Sequence, residues 1–122
     1  MVRGIINLFL SQILNRAVVA EPPAGQLRFA NATVANWTAG LFSEVANMFP
    51  SSMISTGGDQ VQTTCYDDDE ETQRDLDATG LTLNEALTDF VHGTHGALID
   101  AGKTPVVWQG MPWPENVCGV LC

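Results

Sequence analysis

The residues best suited to chemistry lie in the segment S-T-G-G-D-Q, which runs from Ser55 to Gln60. Two glycines precede a carboxylate, Asp59, and the amide of Gln60 follows it. A carboxylate accepts hydrogen bonds and stabilises positive charge, whereas an amide donates hydrogen bonds but cannot release a proton at useful pH. Taken alone, the motif is more typical of a strand-to-loop turn with a solvated aspartate, so its surroundings decide its meaning.

Hydrophobic spacing places this segment after a helix and a strand. Apolar residues recur at three- and four-residue steps between Val34 and Phe49, and Pro50 ends that predicted helix. The stripe comprises Val34, Trp37, Leu41, Phe42, Val45, Met48 and Phe49. The run Ser52–Thr56 then fits a buried strand of a parallel sheet, and the two glycines end it.

A second helix is better defined at both ends. Thr82 and Glu85 form a capping box, in which each side chain satisfies an amide at the helix start. Gly102 predicts a left-handed cap at the other end, with Lys103 favourable near the negative end of the helix. The apolar stripe comprises Leu83, Ala86, Leu87, Phe90, Val91, Leu98 and Ile99.

The run Thr104–Trp108 is a second strand candidate. Strands that alternate with long helices imply βαβ connectivity, so the predicted fold class is α/β with a parallel sheet. In open α/β sheets and in parallel barrels, ligands meet residues at the carboxyl ends of the strands. Asp59, Gln60 and Trp108 all fall at such ends, which indicates a ligand site.

Composition excludes several kinds of partner. The 122 residues carry a formal charge of −9, and the sequence pI is about 4.2. A nucleic-acid-binding protein needs a basic face, and anionic membrane surfaces attract basic segments, so neither partner is expected. No apolar run reaches the roughly 18 residues of a membrane span. The length suits one domain.

The first twenty residues fit two interpretations. Arg3 before the apolar stretch Gly4–Leu10 is typical of a secretory signal peptide, but polar residues interrupt the next segment and the cleavage pattern is poor. Apolar residues between Ile5 and Leu14 also follow one helical face. We favour the helix and treat residues 1–20 as separate from the domain after them.

Two sequons, at Asn31 and Asn36, predict N-glycosylation and favour a secretory history. The three cysteines, Cys65, Cys118 and Cys122, leave at least one thiol unpaired within the chain. Their spacing does not suit a zinc site.

Two clusters of titratable residues do not fit metal sites. Asp67–Glu71 lacks the alternating ligands and central glycine of a calcium loop, so we expect a solvated loop or a helix start. His92 and His95 sit three residues apart, with Asp89 one turn earlier, and no further ligand follows at suitable spacing. We interpret both histidines as ordinary helix-face residues, and we expect no metal and no cofactor.

Several segments, in order along the chain, resemble the catalytic domain of fungal β-N-acetylhexosaminidases, glycoside hydrolase family 20. They are E-P-P-A-G-Q-L, M-F-P-S-S-M-I-S-T-G-G-D-Q-V-Q-T-T-C-Y, E-T-Q, T-L-N-E-A-L-T-D-F and G-K-T-P-V-V-W-Q. The resemblance covers roughly Glu21–Gln109. It implies a domain at residues 21–111, with an unmatched tail at 112–122. Because the family fold is an eight-stranded (β/α) barrel, the implied fold is a partial TIM barrel of about two βα units.

The resemblance also implies roles for individual residues. Gly57 to Gln60 match the family signature Gly-Gly-Asp-Glu at the end of the fourth strand. Asp59 would then orient the 2-acetamido group of the substrate, whose own carbonyl oxygen attacks the anomeric carbon in a substrate-assisted retaining reaction. Trp108 would wall the sugar pocket. The implied substrates are oligosaccharides that carry terminal N-acetylglucosamine or N-acetylgalactosamine, and the implied location is outside the cell.

Two departures from the family point to impaired catalysis. Gln60 stands at the position of the proton donor, whose loss lowers a rate by about 10²–10⁴. Gly110 stands where relatives often carry an acid, whereas Ser55 in place of histidine fits lineage variation. A complete barrel needs about 250 residues, and this chain supplies two strands of eight.

We therefore expect a truncated, catalytically impaired hexosaminidase. The alternative is a non-catalytic carbohydrate-binding or assembly module that kept the sugar site. A third possibility is a glutamate codon misread at Gln60. The resemblance further implies that Cys65 had a disulfide partner in full-length relatives.

Overall fold

A computed structural model of the protein describes residues 25–58 and 61–107. Four helices and two strands follow one another along the described chain. They are α1 (Ala32–Met48), β1 (Met53–Gly57), α2 (Thr63–Asp67), α3 (Glu70–Thr79), α4 (Leu83–Asp100) and β2 (Thr104–Val107). The expectations for residues 1–20, for the tail at 112–122 and for Gly110, Cys118 and Cys122 lie outside the described residues.

The two strands form a parallel sheet, which confirms the predicted strand direction. Met53 pairs with Thr104, and at the other end Gly57 pairs with Val107. The carboxyl ends of β1 and β2 therefore lie side by side, as neighbouring strands do at a spacing of about 4.8 Å. Within the described residues the sheet has these two strands, a partial α/β arrangement.

The prediction that β1 is buried is wrong. Met53 is 57% exposed and Ser55 is also exposed, while Ile54 between them is half-buried. Ile54 pairs with Pro105, which is buried on the face toward α4. Parallel strands are buried on both faces only where other elements cover both. In the described part of the chain, helices cover one face of this sheet.

Helix α1 starts earlier than the apolar stripe does. The Asn31 side chain caps it by accepting hydrogen bonds from the backbone N–H groups of Thr33 and Val34, at 3.0 and 3.4 Å. The stripe packs mainly against α4. The last two residues of the stripe, Met48 and Phe49, are each 55% exposed.

The capping box at the start of α4 is confirmed. Thr82 Oγ1 accepts from the Glu85 N–H at 3.3 Å, and Glu85 Oε2 accepts from the Thr82 N–H at 2.8 Å. These hydrogen bonds from Thr82 hold the pKa of Glu85 below its ordinary value. Most of the predicted stripe faces inward, with Leu98 fully buried, but Ile99 is 52% exposed and was wrongly placed in it.

The left-handed cap at Gly102 is also confirmed. Its φ is +73°, the Gly102 N–H donates to Ile99 O at 2.8 Å, and the Lys103 N–H donates to Leu98 O at 2.9 Å, the pattern of a Schellman motif. The Lys103 side chain also makes two hydrogen bonds, because Nζ donates to the carbonyl oxygens of Phe49 and Ser51 at 2.9 and 2.8 Å. It thereby ties the connection between α1 and β1 to the end of α4.

Opposite effects are expected from alanine at two glycines of α4 and its cap. Gly102→Ala forces a side chain into a left-handed backbone and should lower the free energy of unfolding by about 1–2 kcal/mol. Gly93→Ala, in mid-helix with nothing within 4 Å of the added methyl, should raise it by about 0.5–1 kcal/mol. Urea unfolding followed by circular dichroism measures both, and equal signs would contradict this assignment of the cap.

The main core lies between α4 and the elements that precede it. The Phe29 and Tyr66 rings pack with centroids 4.7 Å apart, and Phe90 approaches Phe29 at 6.0 Å. The buried members of this cluster are Phe29, Tyr66, Leu76, Ala86, Leu87 and Val91. Of the helices described, none is both long enough and apolar enough to cross a membrane.

Candidate functional site

The site predicted from the sequence begins where β1 ends. Gly57 and Gly58 have φ angles of +73° and +101°, a backbone that residues with a Cβ rarely adopt. We call this pair of glycines with positive φ, Gly57 and Gly58, the glycine turn. Asp59 and Gln60, which follow them, lie outside the described residues, as does Trp108 after Val107.

The chain is held again directly after the predicted site. The Gln62 N–H donates to Gln26 Oε1 at 2.9 Å, and Gln26 Nε2 donates to Gln62 O at 3.0 Å. This reciprocal pair joins the segment before α1 to the segment that leaves the site. Residues 59 and 60 are therefore flanked by a glycine turn on one side and a double hydrogen bond on the other.

A contact from α4 fixes the strand on the other side of the turn. His95 Nε2 lies 3.0 Å from Thr56 Oγ1, next to Gly57. His95 is half-buried, and burial, followed by the charge of His92, lowers its pKa below the ordinary value. His92 itself is exposed. The spacing of the two histidines did not predict this contact, because Thr56 is 39 residues from His95 in sequence.

A cleft of about 220 Å³ adjoins the strand end from the helical side. Thr56, Gly58 and His95 contribute to its walls, together with Phe29 and Phe42. Its lining is largely aromatic and aliphatic, so the polar Thr56–His95 contact stands out in mainly apolar surroundings.

The acidic run is not simply solvated. Asp69 caps α3 by accepting from the Thr72 N–H at 3.0 Å, which confirms a helix start within the run. Its carboxylate also receives two hydrogen bonds of 2.6 Å from Arg28, through Nε and Nη2. The Arg28 side chain is only 4% exposed, and that of Asp69 only 10%. Sequence reasoning missed this pair.

The charges around Arg28 favour the ion pair. Hydrogen bonding from Arg28 lowers the pKa of Asp69 to about 2, and the same hydrogen bond raises the pKa of Arg28. The third guanidinium nitrogen, Nη1, lies 2.7 Å from Glu71 Oε2, although the angle does not make this contact a hydrogen bond. Asp75 adds a further attraction and accepts from Asn31 Nδ2 at 3.0 Å.

Acid is expected to remove the stabilisation from Asp69. Its pKa is about 2 in the folded state and 3.8 ordinarily, so the unfolded chain binds more protons between these values. The contribution is complete above roughly pH 5 and disappears as the pH falls through about 2. Urea unfolding at a series of pH values measures this slope. Asp69→Asn should flatten it more than Asp68→Asn, an exposed control, and equal slopes would contradict the assignment.

Tyr66, which precedes the acidic run, is hydrogen-bonded to the segment before α1. Its hydroxyl donates to Leu27 O at 2.9 Å, and its carbonyl oxygen accepts from Gln73 Nε2 at 2.7 Å. Burial, the main cause, raises the pKa of Tyr66, so the phenol stays protonated and able to donate. Residues 26–28 are thus fixed at three successive positions.

The remaining predicted sites differ in how accessible they are. Asn36 is exposed on α1, while the Asn31 side chain already caps that helix and donates to Asp75. Cys65 is half-buried in α2 with a free thiol. Among residues 25–58 and 61–107, no three His, Cys, Asp or Glu side chains group closely enough to hold a metal ion.

The structure thus brings together the two strand ends from which the predicted site residues extend. It adds contacts that spacing could not reveal, from His95, Gln26 and Arg28. Each of these joins residues at least 36 positions apart. The double-glutamine contact involves the resemblance segment E-P-P-A-G-Q-L, which was the only sequence feature that could have drawn attention to Gln26.

Comparisons with known proteins agree with the resemblance seen in the sequence. A search of curated proteins gives no match. The family model described as glycosyl hydrolase family 20, catalytic domain, matches residues 7–116. This range includes both strands and all four helices of the described chain, as well as the segment Gly57–Gln60. Since the match spans most of the 122 residues, the chain belongs to glycosyl hydrolase family 20, a family of glycosidases that act on hexosamine-containing glycans.

Proposed function

We propose that this chain is a β-N-acetylhexosaminidase domain, of the fungal type, that keeps the acetamido-orienting aspartate and has lost the proton donor. A β-N-acetylhexosaminidase with an intact proton donor hydrolyses terminal N-acetylglucosamine or N-acetylgalactosamine from chitooligosaccharides or glycans. The observation that carries the proposal is the glycine turn at the end of β1, beside the end of β2, within a chain of this family.

Asp59 is assigned to the acetamido group. In substrate-assisted retention the acetamido carbonyl oxygen forms a bond to the anomeric carbon while the bond to the leaving oxygen breaks. Positive charge develops on the acetamido group as its nitrogen shares electrons with the new ring. A carboxylate that accepts the acetamido N–H fixes the group and stabilises that charge.

Gln60 is assigned to the donor position. The leaving oxygen needs a proton as its bond breaks, and a carboxylic acid supplies one. The Gln60 amide can donate a hydrogen bond but keeps its proton, so departure of a poor leaving group stays slow. Trp108, which follows the residue paired with Gly57, is assigned to the wall of the sugar pocket, because a flat aromatic ring suits the apolar face of a pyranose.

A second function is non-catalytic binding of carbohydrate. It is supported by the contacts of the residues on either side of Asp59 and Gln60. The turn is flanked by Thr56, bonded to His95, and by Gln62, bonded twice to Gln26. Binding of an N-acetyl sugar needs this scaffold and Asp59, whereas hydrolysis also needs the acid. Secretion, with glycosylation at Asn36 or Asn31, is part of the same proposal.

Binding of N-acetylglucosamine-thiazoline, a mimic of the cyclised intermediate, tests the role of Asp59. Saturable binding is expected by calorimetry, and Asp59→Asn should weaken it about 10- to 150-fold, the equivalent of a lost charged hydrogen bond of about 1.5–3 kcal/mol. Asp68→Asn, exposed and outside the site, is the matched control.

Hydrogen exchange of the same samples shows whether residues 52–107 are folded. Equal affinity of the Asp59→Asn variant and the wild type would overturn the assignment. Slow exchange without any binding of the thiazoline would show that the chain is folded and does not hold an N-acetyl sugar at this site.

A further inference from the structure

The parallel ladder between β1 and β2 is interrupted one residue before the glycine turn. Ser55 pairs with Val106, but the next pair joins Gly57 to Val107. Thr56 is therefore an extra residue in β1, which makes it a β-bulge. A bulge bends its strand and re-aims the residues after it, and bulges occur often beside active sites.

The side chain of the bulged residue has a specific partner. His95 Nε2 lies 3.0 Å from Thr56 Oγ1, and the same hydroxyl lies 3.4 Å from Val106 O in a donor orientation. Both contacts are satisfied at once when the imidazole carries its proton on Nε2 and donates to Thr56, while the Thr56 hydroxyl donates to Val106. The bulge is thus tied both to the neighbouring strand and to α4.

The hydrogen bond between Thr56 and His95 lies in partly buried, mainly apolar surroundings. His95 is half-buried and lines the same cleft as Phe42 and Val91. A polar group in apolar surroundings is unfavourable unless it is hydrogen-bonded, and an aliphatic side chain at position 95 would fill the space without that requirement. Without the hydrogen bond to Thr56, the bulge would lose its tie to α4 and the imidazole would lose its hydrogen-bond partner.

We propose that His95 is a positioning residue of the candidate site, which acts through Thr56 to fix the bulge directly before Gly57 and Gly58. The proposal rests on the proposed function for its consequence in sugar binding. Its structural part, the control of the glycine turn by a histidine of α4, stands on the geometry alone.

Two pairs of variants separate the hydrogen bond from packing. Thr56→Val and His95→Phe keep shape and remove the contact, whereas Thr56→Ser and His95→Gln keep a hydroxyl and an N–H donor. Thr104→Val in β2 and His92→Phe in α4 are matched controls, because both residues are exposed. The readouts are the NMR amide resonances of the two glycines and the affinity of the full chain for N-acetylglucosamine-thiazoline.

The first pair should shift both glycine resonances and weaken binding about three- to tenfold, the effect of one lost neutral hydrogen bond. The conservative pair should stay within about twofold of the wild type. The double variant Thr56→Val/His95→Phe should bind no more weakly than either single variant, because both changes remove one interaction.

The inference is overturned if Thr56→Val and His95→Phe give the same glycine resonances and the same affinity as the control variants. Should His95→Phe not fold, Thr56→Val compared with Thr56→Ser carries the test, because both variants change the residue before Gly57 and only Thr56→Ser keeps the hydroxyl. If the wild type does not bind the thiazoline, the proposed function fails, and the glycine resonances still decide whether His95 controls the turn.

Discussion

Replacing Arg28 with methionine is expected to lower the free energy of unfolding by about 3–5 kcal/mol, because the variant leaves a nearly buried carboxylate without its partner. Arg28 supplies two hydrogen bonds of 2.6 Å to Asp69, and the Asp69 side chain is only 10% exposed. Stabilities of single domains are about 5–15 kcal/mol, so this change removes a large share of the total. Urea unfolding measures it.

Two further variants show that the effect belongs to the ion pair. Arg74→Met removes an exposed arginine from α3 and should change stability by less than about 0.5 kcal/mol. Arg28→Met/Asp69→Asn should be more stable than Arg28→Met, since asparagine still caps a helix but carries no charge. Equal losses in Arg28→Met and Arg74→Met would show that the pair contributes little.

The second large effect concerns hydrolysis. Gln60→Glu restores a carboxylic acid at the donor position and is expected to raise hydrolysis of N-acetylchitooligosaccharides by about 10²–10⁴. A dinitrophenyl N-acetylglucosaminide should gain far less, because its leaving group departs without a proton. Release of N-acetylglucosamine and of dinitrophenolate measures the two rates.

Gln62→Glu is the matched control for this change. It adds the same charge two residues away, at an exposed side chain that makes no capping hydrogen bond. No gain in Gln60→Glu, or an equal gain on both substrates, would contradict the assignment of position 60 to the proton donor.

Local patterns in the sequence predicted both strands and the two long helices, α1 and α4, whereas α2 and α3 were not predicted beyond a helix start in the acidic run. The capping box at Thr82 and Glu85 and the cap at Gly102 depend on residues within one turn of each other, so their chemistry is visible in sequence. The parallel direction of the strands follows from the long helix between them. The family resemblance rested on several spaced segments in order, and the family match supports the family while extending beyond Glu21–Gln109 at both ends, to residues 7–116.

Burial could not be predicted in the same way, because it depends on the elements that lie across each face. Met53 and Phe49 have apolar side chains typical of a protein core, yet each is more than half exposed in the described structure. The strand β1 was predicted at nearly the right position, but its burial was predicted wrongly. Periodicity identifies a face of an element but not the element that covers it.

Long-range polar contacts were also hidden. The acidic run contains five carboxylates, and nothing local distinguishes Asp69, which pairs with Arg28 across 41 positions of sequence. The bulge at Thr56 breaks the strand pattern by one residue only. A bulge and a buried ion pair are both set by tertiary packing, so neither has a pattern of its own in the sequence.

Turnover of an N-acetylchitooligosaccharide, whose leaving oxygen needs a proton, by the wild-type chain, expressed in a host without hexosaminidase, tests the central claim most directly. An amide at position 60 predicts a rate at least about 10²-fold below that of family members with a glutamate there. Hydrolysis at a rate similar to those members would contradict the account, because the side chain assigned to the donor position cannot release a proton.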